Sequence, residues 1–365
     1  MPQHEKQTNS VMTASRLLPG DRAPTLRFAR VFNGSQPIGQ VTFDRLTAVI
    51  LWNAGCASCL PAVGEVATIA ADYAMPVYGV AVMVRDVERT AEVALQGNPQ
   101  AVLALEERPS HAVGLMRGSV TRNWLEASGI PGVPAAYLVD RAGRIAWIGD
   151  PAEITGVLPE LAAGSWDVAA ARERWCATAS DEAITQLRLT RDVMDTLIAG
   201  QIRSARELVA IGERDLPSLA SDAEFAILKF QALAAVPAEV DQAVAHYRAA
   251  AARFPDDLRM QTMLAGAAIK QLRDWAEVLD LVADAMAAIS DGPAADVAEA
   301  QSRILCRLLE AEAAARLERP DQAKVALERA TVMAMSATLP EAASVWATKE
   351  IERVRGLLPA SVMLP

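Results

Sequence analysis

A chain of 365 residues that is 52% hydrophobic and 22% charged is too long for one ordinary domain and too apolar to stay disordered, so two packed domains are expected. Its formal charge of −10 and 5% aromatic content supply neither a basic field nor a base-stacking surface, which argues against nucleic acid or an anionic membrane as a partner. Four cysteines and three histidines make no secreted disulfide framework and leave few routes to a His-rich metal site or a Ser-His-Asp hydrolase.

Residues 1–17 are polar and mixed in charge, which predicts a disordered tail. They contain no apolar run of the length a signal-peptide core or a membrane span needs, so the chain as written is expected in the cytoplasm. From Leu18 to Asp167 short β-rich runs alternate with helical patterns, the rhythm of an α/β domain. Thr47 to Trp52 is continuously apolar and predicts a central strand; further strands are expected at Val77 to Val84, Gln100 to Leu105, Ala136 to Val139 and Ile145 to Gly149. Asp140-Arg141-Ala142-Gly143 fits a hairpin turn joining the last two. Helices are expected at Cys59 to Tyr73, Val87 to Leu95, Val120 to Ser128 and Glu153 to Ala163.

After Trp166 the composition turns to Ala, Leu, Glu and Arg, and residues 168–365 read as helices throughout. Comparable segments recur at Ala205 to Leu208, Ala243 to Phe254, Trp275 to Met286 and Ala323 to Met333. Spacings of roughly 35 to 45 residues suit paired-helix repeats of the TPR-like kind, although an ordinary helical bundle with Ala at close contacts has the same pattern.

The chemistry concentrates at Val49-Ile50-Leu51-Trp52-Asn53-Ala54-Gly55-Cys56-Ala57-Ser58-Cys59, a strand running into a Cys-x-x-Cys that opens a helix. Free N–H groups and the positive end of the helix dipole would stabilise a Cys56 thiolate, the form that attacks a disulfide. Cys59, one turn on, would attack the resulting mixed disulfide. Half of a zinc site is the alternative, but Cys176 and Cys306 stand alone in the helical region and the strand-to-helix context is that of a redox pair. These two lone cysteines are expected in the core.

Trp52 four positions before Cys56, the Cys pair, Gly132-Val133-Pro134-Ala135-Ala136-Tyr137-Leu138-Val139-Asp140, and the opening Gly20-Asp21-Arg22-Ala23-Pro24 together resemble thioredoxin-like proteins, in particular the TlpA-like thiol-disulfide reductases. The resemblance covers about 150 residues. It implies a thioredoxin-like α/β domain over 18–167, with an extra strand and helix between Cys59 and Pro134, ahead of an all-α domain over 168–365. It also implies that Pro134 is a cis-proline facing the Cys pair and that the Val133 backbone pairs with an extended substrate. Trp52 would either shape the substrate groove or pack beneath the active-site helix.

Two departures stand out. Ile50 occupies the position where many thioredoxins bury an acid, and Gly64 replaces a helix-kinking proline; Glu65 is the nearest substitute base, although a helix Glu is more often solvated. A peroxiredoxin-type site would need a hydroxyl residue and a proline where Asn53 and Val49 stand. His111 in its Pro-Ser-His loop reads as exposed. The expectation is a thiol-disulfide oxidoreductase without prosthetic cofactor, serving a protein disulfide client and recharged by an upstream dithiol reductant, with the helical domain selecting partners. The alternative is an interaction scaffold with a slow or vestigial redox site.

Overall fold

Thr47–Trp52, six buried residues in succession, form the central strand β2. Around it stand β1 (Phe28–Val31), β3 (Val77–Ala81), β4 (Ala101–Glu106), β5 (Ala135–Val139) and β6 (Ile145–Gly149), in the order β1-β4-β3-β2-β5-β6. In this computed structural model, which describes residues 16–33, 39–98, 100–108, 117–255, 257–272, 274–287, 294, 296–337, 339 and 341–359, β2, β3 and β4 run parallel and β1, β5 and β6 pair antiparallel. The tail expected over 1–17 lies mostly outside the described residues; Leu17, at its end, is buried and donates its N–H to the Ala127 carbonyl.

The pleat of β2 sorts its side chains onto two cores. Ile50 and Trp52 pack with Val63 and Val66 of α1 (Cys59–Ala71) and with Ile154 and Leu158 of α3 (Ile154–Ala163). Val49 and Leu51 face Trp124, Leu125 and Tyr137 on the other side. Between β3 and β4 runs α2 (Val87–Ala94), begun by the Asp86 side chain accepting from the Arg89 N–H.

Several elements differ from expectation for identifiable reasons. β3 stops at Ala81, three residues early, because Met83 turns the backbone to a φ of 52°. The helix expected over Val120 to Ser128 is a π-helix, Thr121–Glu126. β1 is an addition to the expected strands; Phe28 is buried, Ala29 and Arg30 are exposed, and the strand is held by antiparallel pairing to β4 at the sheet edge.

By contact the chain divides into Met1–Gly200 and Gln201–Pro365. The first unit thus runs beyond the compositional change at Trp166 and takes in α4 (Val168–Thr178) and α5 (Asp181–Ile198), capped by Asp167 and Ser180. The second unit comprises α6 (Ile202–Asp215), α7 (Ala223–Ala234), α8 (Val240–Arg253), α9 (Leu258–Gln271), α10 (Trp275–Ala287), α11 (Val297–Arg316), α12 (Pro320–Ser336) and α13 (Glu341–Arg355). Here α7 packs on α8 and α9, α9 on α10 and α11, and α11 on α12 and α13. Cys306 is buried in this helical core as expected, 3.3 Å from the Thr262 hydroxyl, whereas Cys176 is only half-buried, against expectation. Among the described residues no helix is long and apolar enough to cross a membrane.

Candidate active site

The parallel registers bring the carboxyl ends of β2, β3 and β4 level, Trp52 opposite Ala81 and Ala81 opposite Leu105. The next residues therefore meet at one edge. Asn53 uses its whole side chain there: Nδ2 donates to the carbonyls of Val82 (2.7 Å) and Met83 (3.2 Å), and Oδ1 accepts from the Gly55 N–H (2.9 Å). Its backbone carbonyl accepts from the Cys56 N–H at 3.0 Å. Asn53 thus anchors the turn that presents Cys56.

Cys56 and Cys59 form a disulfide, their Cα atoms 5.5 Å apart. The helix opens at Cys59 behind Ser58, so Cys56 lies in the preceding turn rather than at the helix start; the Cys59 N–H reaches back to the Cys56 carbonyl at 3.3 Å. Pro61 falls in the first turn, where a missing N–H costs no helical bond, and α1 continues through Gly64 unbroken. That first turn holds no acid to offset the positive end of the dipole. Cys56 is half-buried and Cys59 has no exposed surface.

Val133 and Pro134, joined by a cis peptide bond, are half-buried, and the Val133 carbonyl oxygen lies 3.8 Å from the Cys56 sulfur. Trp52 is a correction to the groove reading: its ring has no exposed surface, meets Phe32 edge-on and packs in the core with α1. Ile50 is buried in the same core and Glu65 is exposed on α1. His111 lies outside the described residues. Two hollows flank the turn: a groove of about 640 Å³ opening at Cys56 between Leu60, Pro61 and Val93, and a cleft of about 410 Å³ behind Asn53 and Gly55 with Met83, Arg89 and Arg117 in its walls.

Sequence reasoning missed Glu106, the fully buried last residue of β4. Its Oε1 accepts from the Met83 N–H (3.1 Å) and the Thr121 hydroxyl (2.6 Å), and its Oε2 from the Thr121 N–H (2.7 Å). One carboxylate thereby fixes the Met83 corner that receives Asn53 and the first turn of the π-helix. Burial outweighs these donors and holds the carboxyl above its usual range. Because both oxygens face a backbone N–H, the near-isosteric Glu106→Gln must aim an amide NH₂ at one of them. It is expected to cost about 1–3 kcal/mol, read as a lower urea midpoint at unchanged slope. An acid raised on folding stabilises fully below its unfolded pKa and less as pH rises through the folded value, so the gap between parent and variant should narrow with rising pH. Equal midpoints at every pH would show that neither N–H depends on this carboxylate.

The sheet order, the helices on both faces and a Cys-x-x-Cys at the end of the central strand define a thioredoxin-like domain, followed by an all-α region. No family model matches the chain. Over 155 residues it is 25% identical to protein FixW of Rhizobium leguminosarum, a stretch that covers 42% of this chain and 70% of that protein. Among solved structures it is similar to a thiol-disulfide isomerase from Corynebacterium glutamicum (17% identity, TM-score 0.32, covering 40% of this chain and 97% of that one). It is also similar to a thioredoxin-like protein from Aeropyrum pernix (10% identity, TM-score 0.29, covering 38% and 89%).

Proposed function

We propose that the protein is a thiol-disulfide oxidoreductase that reduces protein disulfides by dithiol exchange, with its helical unit selecting partners. The observation that carries this reading is the asymmetry of the Cys pair, one sulfur accessible and its partner sealed. In the reduced protein the Cys56 thiolate attacks a client disulfide, forming a mixed disulfide and expelling one client thiolate. Cys59, deprotonated, then attacks the Cys56 sulfur; the Cys56–Cys59 disulfide forms and the second client sulfur leaves. Two electrons pass to the client, and the two protons given up by Cys56 and Cys59 balance those its thiols take up. An upstream dithiol protein reverses the exchange on Cys56 and Cys59, so no prosthetic cofactor is required.

The Val133 backbone beside Cys56 suits strand-like pairing with an extended client, held by the Pro134 turn. The packing of each odd-numbered helix from α7 to α11 on the next two supports a TPR-like repeat array, whose stacked pairs expose an extended surface. Reduction, in a cytoplasmic setting, is the direction proposed. Ile50, apolar where an acid would take the Cys59 proton, favours a second reading in which the redox site is slow and the helical unit is a scaffold.

A dithiothreitol redox titration of the full chain, read by alkylation and mass, separates the two. The proposal expects a reversible two-electron transition within roughly −220 to −320 mV, the span of cytosolic poise. A pair that does not cycle between dithiol and disulfide would leave only the scaffold reading.

A further inference from the structure

The segment that delivers Val133 and Pro134 to Cys56 is gripped from outside the thioredoxin-like layer. The Trp175 indole N–H of α4 donates to the Ser128 carbonyl at 3.0 Å. Gly129 sits at a φ of 78°, and a Cβ there would fall 2.9 Å from the Ala179 methyl and 3.1 Å from Ile184 of α5. Arg191 of α5, nearly fully buried, donates to the Pro131 carbonyl at 2.7 Å and to Glu126 at 3.1 Å. Three successive points, 128, 129 and 131, are thus held by two helices that follow the last helix of the α/β layer. At Gly132 the support ends, since a Cβ there would meet nothing within 4 Å.

We propose that α4 and α5 position the client-facing loop, with Arg191 and Trp175 as positioning residues for the dithiol exchange; this rests on the reading of Val133 as the edge that pairs with the client. Backbone pairing needs the Val133 N–H and carbonyl at fixed distance and direction from the Cys56 sulfur. Only Gly132 separates the Arg191 contact at Pro131 from that edge. Releasing the grip moves the edge and leaves the sulfurs as they are, because Cys56 is held separately by Asn53. A protein client therefore loses its docking, whereas a small disulfide that needs no docking does not.

The test uses the full chain and two probes, insulin as an extended polypeptide disulfide and dithiobis-nitrobenzoate as a small one. Arg191→Met and Trp175→Phe, the latter keeping an aromatic ring while removing the N–H donor and part of the ring system, are expected to lower kcat/KM for insulin about ten-fold, chiefly through KM. The rate with the small disulfide and the reduction potential stay at the parent's values, and Arg191→Lys, which keeps a donor, recovers part of the loss. Unchanged insulin kinetics in both variants overturns the proposal, as does an equal loss on both probes that tracks a fall in thermal midpoint. A parent protein inert toward both probes overturns the oxidoreductase reading itself, an outcome distinct from either.

Discussion

Cys56→Ser is expected to lower the turnover of a protein disulfide by at least about a thousand-fold, while Cys59→Ser stops the reaction one step later. The difference follows from burial. Cys56 is the half-exposed sulfur at the rim of the groove, and Cys59, with no exposed surface at the start of α1, has no path to a client. A serine hydroxyl at position 56 stays protonated at neutral pH and does not attack sulfur, so no adduct forms. A serine at position 59 leaves the first attack intact and removes only the group that resolves it; the client remains attached through Cys56 as a mixed disulfide. Non-reducing electrophoresis should show this adduct with Cys59→Ser and none with Cys56→Ser. An adduct formed by Cys56→Ser through Cys59, or sustained turnover by Cys59→Ser, would reverse or dissolve the assigned order.

Much of this site could be read from the chain because its signals are local. Five apolar residues ending at Trp52 force a buried strand, and two cysteines three apart just beyond it belong to one turn. Pro134 was reached by resemblance, since nothing within its own neighbourhood says that it faces Cys56 from 75 residues or more away. The long-range parts were opaque for physical reasons. β1 is only four residues long, too short to announce itself by pattern, and is held by the edge of β4 and by Phe28 in the core. Glu106 reads as the polar end of a strand, and its importance appears only when parallel registers set Met83 beside it and Thr121 folds back onto it. Trp52 left two roles open, because a large aromatic beside a reactive pair suits a groove and a core equally; packing against Phe32 decides for the core. The same limit applies to α4 and α5. Their composition announces helices at residue 168, but only the partners of Trp175 and Arg191 show that these helices serve the domain before them.

The ions behind that attachment support the second large effect. Arg117 is 3% exposed and binds three carboxylates: Glu126 of the π-helix at 2.8 Å, Asp195 of α5 at 2.6 Å, and Asp192 of α5. Arg191 shares Glu126, Arg188 interacts with Glu126 and Asp192, and Arg122 joins Arg117 in acting on Asp195, so four arginines face three acids in a site mostly closed to water. Desolvating these charges was costly, so the cluster need not add net stability over apolar packing; removing one member is a different matter, because it strands the rest. Arg117→Met leaves Asp195, nearly fully buried, without the guanidinium that serves its Oδ2. A loss of about 3–5 kcal/mol is expected, a large part of the roughly 5–15 kcal/mol that holds a typical domain. Burial already keeps the Asp195 carboxyl above its usual range, with Arg117 opposing. Without Arg117 that folded value rises further, so the deficit is smallest below the unfolded carboxylate value and grows as pH rises. Urea unfolding should therefore show a wider gap from the parent at about pH 8 than at about pH 5. Adding Asp195→Asn should recover part of the loss, since the double variant removes the stranded charge together with its partner. A loss under about 1 kcal/mol, independent of pH, would put this cluster in the class of surface ion pairs and would deprive α5 of its electrostatic attachment to the redox domain.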